Sequence, residues 1–356
     1  MSAGTSPAAS ASLRFAAPIW TLLILAPLIA EVLSGSTRFS ILFVFIPEVM
    51  VWGVGALLAR EFVRRWHAGG ASLLLLGLAL SVAEEFVIQQ TSIAPLPFFG
   101  VNASYARLWG VNWLYFLFML GYESVWVVLI PVQITELLFP ARRGRPWLRG
   151  RGIAGCCVSF VIGSFLAWYG WTQQARIHSL HAAPYQPPVA ALAAGVVAIV
   201  ALIALAYALR RRGHAGSNPT RKTINPWVAG IAAFVLSAVW YVVIGMVFNP
   251  HPGHPASAVL LAAAAWAVLA FVLLGYWAAS SQWGDMHRWA VAFAPTVSCM
   301  AGGYLSTGGW SRLDLTAKIV LNALAFAGLL WLGVRVHRRN HAPADPNPAP
   351  GIASMS

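Results

Sequence analysis

The chain has 356 residues, of which 59% are hydrophobic and 9% charged, against roughly 45–50% and about 25% in an ordinary soluble domain. So few charges cannot cover a water-facing surface of this size, and the excess apolar surface is assigned to lipid. The net charge of +13 does not mark a nucleic-acid binder, because the basic residues fall between apolar runs instead of gathering into one patch.

A membrane-crossing helix needs about 20 mostly apolar residues at a rise of about 1.5 Å per residue. In chain order this predicts helices near 15–33, 40–59, 71–90, 111–139, 152–171, 188–209, 227–248, 256–277, 289–306 and 316–335. The fold class is therefore an all-α polytopic transmembrane bundle of about ten spans. The first run reads as a retained span: it contains Glu31, lacks a small-x-small cleavage site and leads directly into the second. Pro131 is expected to kink the fourth helix or to mark where it leaves the membrane. Pro295, Gly302 and Gly303 interrupt the ninth, which leaves nine spans or a re-entrant segment as alternatives. Residues 1–14 and 340–356 read as disordered tails, 15–140 as a four-span unit and 141–339 as a six-span unit.

Charge placement orients the bundle. With the N-terminus inside, the inner segments carry Arg14; Arg60, Arg64 and Arg65; Arg142, Arg143, Arg145, Arg149 and Arg151; Arg210, Arg211, Arg212, Arg221 and Lys222; Arg288; and Arg335, Arg338 and Arg339. The outer segments hold Arg38, Arg107, Arg176, Arg312 and Lys318. The bias alternates loop by loop, as an N-in, C-in topology requires. Trp20, Trp66, Trp109, Trp147, Trp171, Trp227, Trp283 and Trp310 fall near span ends, where an amphipathic ring favours the headgroup zone. Cys156, Cys157 and Cys299 have neither CxxC spacing nor a nearby histidine, so they read as buried, inert thiols. His251 and His254 lie in a proline-fixed loop without a carboxylate and define no metal site. No cofactor is implied.

The acids are the informative residues. Of ten in the chain, Glu31, Glu48, Glu84, Glu85, Glu123 and Glu136 lie in the first four runs, and the last six runs have none. An acid at mid-bilayer costs at least about 2.5–3.5 kcal/mol on insertion scales, so it is a functional candidate by default. Glu48 lies about 12 Å and Glu123 about 18 Å from the outer ends of their helices. With Glu31, Glu84 and Glu85 they are expected to line one outward-opening cavity. Ser81, Glu85 and Gln89 follow i, i+4, i+8 on the third helix; Asn112, Tyr115, Tyr122, Glu123 and Gln133 share about 100° of arc on the fourth. Glu136, beside Arg142, Arg143 and Arg145, reads as a solvated or salt-bridged boundary residue. The outer loop from Thr91 to Gly110 (Pro95, Pro97, Phe98, Phe99, Tyr105, Trp109) is either a lid or an interfacial hairpin. The later spans, rich in Ala, Gly, Leu and Val, read as scaffold or lipid-facing shell.

The blocks Ala30-Glu31-Val-Leu-Ser-Gly-Ser-Thr37, Ala83-Glu84-Glu85, Leu108-Trp-Gly-Val-Asn-Trp113 and Glu136-Leu-Leu-Phe-Pro140 resemble those of an uncharacterised family of multi-pass prokaryotic membrane proteins, which implies a bacterial cytoplasmic (inner) membrane. Glu84-Glu85, followed one helix later by Phe118-Met-Leu-Gly-Tyr122, is also similar to the CPBP (CAAX-processing-type) intramembrane metalloproteases. Gln89 stands where that family has arginine and Tyr122 where it has histidine, so this likeness implies a catalytically degenerate relative. Three functions follow: a transporter-like protein whose carboxylates bind a proton, cation or cationic solute; an intramembrane protease relative built on Glu84, Glu85, Tyr122 and Glu123; or a non-catalytic scaffold. The bilayer is the one partner the sequence itself requires.

Overall fold

The computed structural model describes residues 7–95, 105–210, 220–248 and 253–341. Pro97, Phe98, Phe99 and His251 lie outside them, as do residues 1–6 and 342–356 of the expected tails. The helical backbone begins at Pro7, ahead of the first apolar run.

Among the described residues nine helices are long and apolar enough to cross a membrane: α1 (Ala16–Leu33), α2 (Phe39–Arg65), α3 (Gly70–Ile88), α4 (Trp113–Leu138), α5 (Gly150–Ser179), α6 (Val189–Ala208), α7 (Pro226–Phe248), α8 (Ala256–Ala278) and α10 (Arg312–Asn340). Between the last two runs α9 (Asp285–Gly302), which contains Pro295. The helices outrun their apolar cores because charged residues continue them into the interface. Arg64 and Arg65 end α2 and His337, Arg338 and Arg339 end α10, where cations suit the helix C-terminus. His178 and His287 likewise fall in terminal turns.

Helix α4 is central, packing against α1, α3, α7, α8 and α9. One hydrophobic core runs from Leu22 and Leu57 through Leu114 and Val127 to Trp240, Cys299 and Val336. Backbones approach closely where glycine permits it. A Cβ on Gly53 would stand 2.2 Å from the Leu23 carbonyl oxygen, and one on Gly303 only 1.6 Å from that of Ser34. Helix α4 continues through Pro131 to Leu138. The missing N–H is absorbed by a widened, π-type stretch, Glu123–Leu129, immediately before it.

The basic segments meet at one end. Arg60 is fully buried there: Nε donates to Glu136 (3.1 Å), the two Nη groups to the carbonyls of Arg145 (3.0 Å), Arg142 (3.2 Å) and Arg143 (2.9 Å), and Trp147 covers its Cζ at 3.4 Å. Glu136 also binds Arg64 at 2.6 Å, which makes it ion-paired, one of the two states expected. Glu61, unmarked by its sequence context, accepts from the Trp147 and Leu148 backbones and from Arg65. Trp147 is thus enclosed in protein, an exception to the interfacial tryptophans, whereas Trp20 (61%) and Trp109 (85%) are exposed. Of the cysteines only Cys299 is buried. Cys157 is exposed, because α5 is peripheral and its apolar face points outward.

Candidate functional site

The opposite end collects the acids, and the backbone prepares it. Helices α1 to α4 each contain one π-type stretch: Leu28–Leu33, Val49–Gly53, Ala83–Ile88 and Glu123–Leu129. Glu31, Glu84, Glu85 and Glu123 lie within these stretches, and Glu48 directly precedes the second. Such widened turns are rare in helices and concentrate at functional sites. A fifth, Tyr169–Ser179 in α5, carries no acid.

Glu48, Glu84, Glu85 and Glu123 are 5%, 1%, 1% and 2% exposed, so the cluster is closed in this conformation. Glu31 keeps partial exposure. The carboxylates are near enough for their charges to act on one another. Glu84 faces Glu85, Glu31 and Glu48; Glu123 faces Glu85, Glu84 and Glu31. Among the described residues, none of the principal groups acting on the five is a lysine, arginine or histidine.

Their hydrogen bonds are unequal. Glu85 Oε2 accepts from Thr91 Oγ1 (2.7 Å) and Ser92 Oγ (2.6 Å), and Glu48 accepts from Thr37 Oγ1. Both oxygens of Glu84 are buried without a protein partner, as are Glu48 Oε2 and Glu123 Oε2, while the Ser81 hydroxyl neighbours Glu123. The hydroxyl partners were not singled out in the sequence; their signal was position, since Thr37, Thr91 and Ser92 stand at span ends beside an acid.

The other candidates divide. Tyr115, half-buried, reaches Glu85, Glu123 and Thr91. Asn112 is a helix cap: its Oδ1 accepts from Tyr115 N (3.0 Å), while its own N–H donates to the Ser92 carbonyl (2.9 Å). It holds the loop that supplies Ser92. A two-residue turn at Trp109 (φ 53°) and Gly110 (φ 80°) joins strands β1 (Arg107–Leu108) and β2 (Val111–Asn112), the pattern of a tight hairpin. Tyr122 donates to the Ala30 carbonyl and stacks on Phe118 and Trp126, with Cys299 Sγ 3.7 Å from its hydroxyl. It forms an aromatic wall beside Glu31. Gln89 leaves the stripe expected of it. The widened turn at Ala83–Ile88 breaks the i, i+4 register, and Gln89 lines a narrow groove with Gln90, Trp171 and Arg176.

A closed, almost wholly helical, multi-pass bundle with buried carboxylates among its first four helices defines an integral membrane protein. Residues 21–337 match the uncharacterized membrane protein family, and the chain belongs to it. No curated protein and no solved structure matches.

Proposed function

We propose that this protein is a transporter of the bacterial cytoplasmic membrane that takes up and releases protons at the cluster of Glu31, Glu48, Glu84, Glu85 and Glu123. The observation that carries this reading is Glu84, with two buried oxygens, no hydrogen-bond partner and three neighbouring carboxylates. Four buried carboxylates with no cation facing them would, if all were ionised, together cost on the order of 10 kcal/mol, comparable to the whole stability of a domain. Neutralisation by protons, exchanged with the outside through Glu31, removes most of that cost. Helix packing does not account for the arrangement, because polar groups that join helices do so by hydrogen bonding across them. A metal ion fits less well than a proton: among the described residues no three His, Cys, Asp or Glu side chains are placed to hold one. For the protease reading, no imidazole stands among the groups acting on Glu84 or Glu85.

Infrared difference spectra of the purified protein during a pH titration test the proposal. A carboxylic C=O band that grows on acidification and shrinks in Glu84→Gln and Glu123→Gln is expected. Absence of any pH-dependent carboxylic band, or one untouched by both substitutions, overturns it.

A further inference from the structure

At the basic end of α10, away from the cluster of Glu31, Glu48, Glu84, Glu85 and Glu123, Trp331, Val334, Arg335, Arg338 and Arg339 line a groove of about 480 Å³. The spacing i, i+3, i+4, i+7, i+8 puts them on one helix face. The groove changes character along its length. Trp331 (56% exposed) and Val334 present apolar surface, and the three guanidinium groups follow in the last two turns. Arg335 Cζ stands 5.3 Å from the Trp331 ring.

Among the described residues no carboxylate is ion-paired to this groove, although the Asp285 charge acts on Arg339. Asp285 already receives both Nη groups of Arg143, at 2.8 and 2.9 Å, and Glu136 is taken by Arg60 and Arg64. Among the described residues, Arg335 and Arg338 form no ion pair. Arg339 is tethered through Nη2 to the Leu137 carbonyl (3.0 Å), while its Nη1 is buried with no hydrogen-bond partner. An arginine serving only to orient a span would extend into water. Here one is pinned against the bundle with a donor left open beside two further guanidinium groups.

We propose that this groove binds the phosphate headgroup of an anionic phospholipid from the surrounding leaflet. An acyl chain would lie along Trp331 and Val334, and the phosphate oxygens would accept from Arg335, Arg338 and the open Nη1 of Arg339. Arginine suits this role because its planar fork pairs two donors with a phosphate. Clustered basic residues at a membrane face attract acidic lipids in the same way.

The test uses the full-length protein, delipidated in detergent and supplemented with phosphatidylglycerol, phosphatidylcholine or inorganic phosphate. Lipid retention is read by native mass spectrometry and stability by thermal melting. Phosphatidylglycerol is expected to be retained and to raise the melting temperature more than phosphatidylcholine. Arg335→Gln with Arg338→Gln should weaken that retention on the order of tenfold. Arg149→Gln with Arg151→Gln, exposed at the same end but away from the groove, should leave it intact. The proposal falls if the two lipids behave alike or if the groove variant retains phosphatidylglycerol fully. It falls equally if the Arg149/Arg151 variant loses as much retention, or if inorganic phosphate alone reproduces the shift.

Discussion

Helices α3 and α6 pack against each other, yet they obey opposite rules. Helix α6 is the most apolar span, with mean hydropathy 2.8, and only 11% of its window is buried; α3, at 1.9 and carrying two glutamates, is 67% buried. Helix α8 repeats the α6 pattern at 2.5 and 6%. In water the greasiest helix would be central. In a bilayer the solvent is itself greasy, so an apolar helix gains nothing by moving inward, while polar side chains and close backbone contacts do. The centre of this molecule is therefore where its sequence is least membrane-like.

The largest effect expected from testing that division lies at a backbone contact. Gly303→Ala would drive a methyl group into the Ser34 carbonyl, joining the end of α9 to the turn after α1. A loss of at least about 3 kcal/mol, or failure to assemble, is expected in detergent melting. Gly275→Ala on α8, where nothing lies within 4 Å, should be nearly silent; equal losses would erase the distinction between centre and shell. Next is Arg60→Ala, which leaves Glu136 with Arg64 alone and strips three carbonyls of their donor. It should cost about 3–5 kcal/mol, against less than about 1 kcal/mol for exposed Arg149→Ala.

Much of this architecture is legible in the sequence, for a definable reason. Apolar runs long enough to cross a bilayer located the helix ends to within a few residues in most cases. Glutamates cannot be buried cheaply, and five that the structure brings together were marked by their depth. What was not legible is helical register. The periodicity that put Gln89 under Glu85 assumes 3.6 residues per turn, and the π-type stretch at Ala83–Ile88 breaks that assumption. Nothing local in Ala83-Glu-Glu-Phe-Val-Ile88 announces it, since no proline adjoins, unlike at Glu123–Leu129 with Pro131 nearby. Long-range partners were equally hidden. Cys299 reaches Tyr122 only because α9 packs on α4, and nothing beside Glu61 in the sequence marks the Trp147 and Leu148 N–H groups as its donors.

Adjacent residues on α3 sharpen the comparison further. Glu84 has no hydrogen-bond partner, whereas Glu85 has two hydroxyl donors. Glu84→Leu should raise the melting temperature, by relief of about 1–3 kcal/mol, while it removes proton uptake into reconstituted vesicles. Glu85→Leu should lower the melting temperature, because the Thr91 and Ser92 hydroxyls lose their acceptor, at about 1–3 kcal/mol. If both variants move stability the same way, the two carboxyl groups do not differ as their surroundings indicate.

The smallest effect is expected at Asn112, which touches no acid. Its side chain caps α4, and its N–H holds the Ser92 carbonyl. Asn112→Ala should therefore cost only about 1 kcal/mol, the value of a lost cap. The backbone bond to Ser92 survives the substitution only if the cap geometry does. If it loosens, Ser92 Oγ leaves Glu85, and the infrared titration of the cluster changes while the melting temperature hardly moves. A shift of that titration at nearly constant stability would show that the loop before α4 sets the environment of Glu85; an unchanged titration would make Asn112 a cap and nothing more.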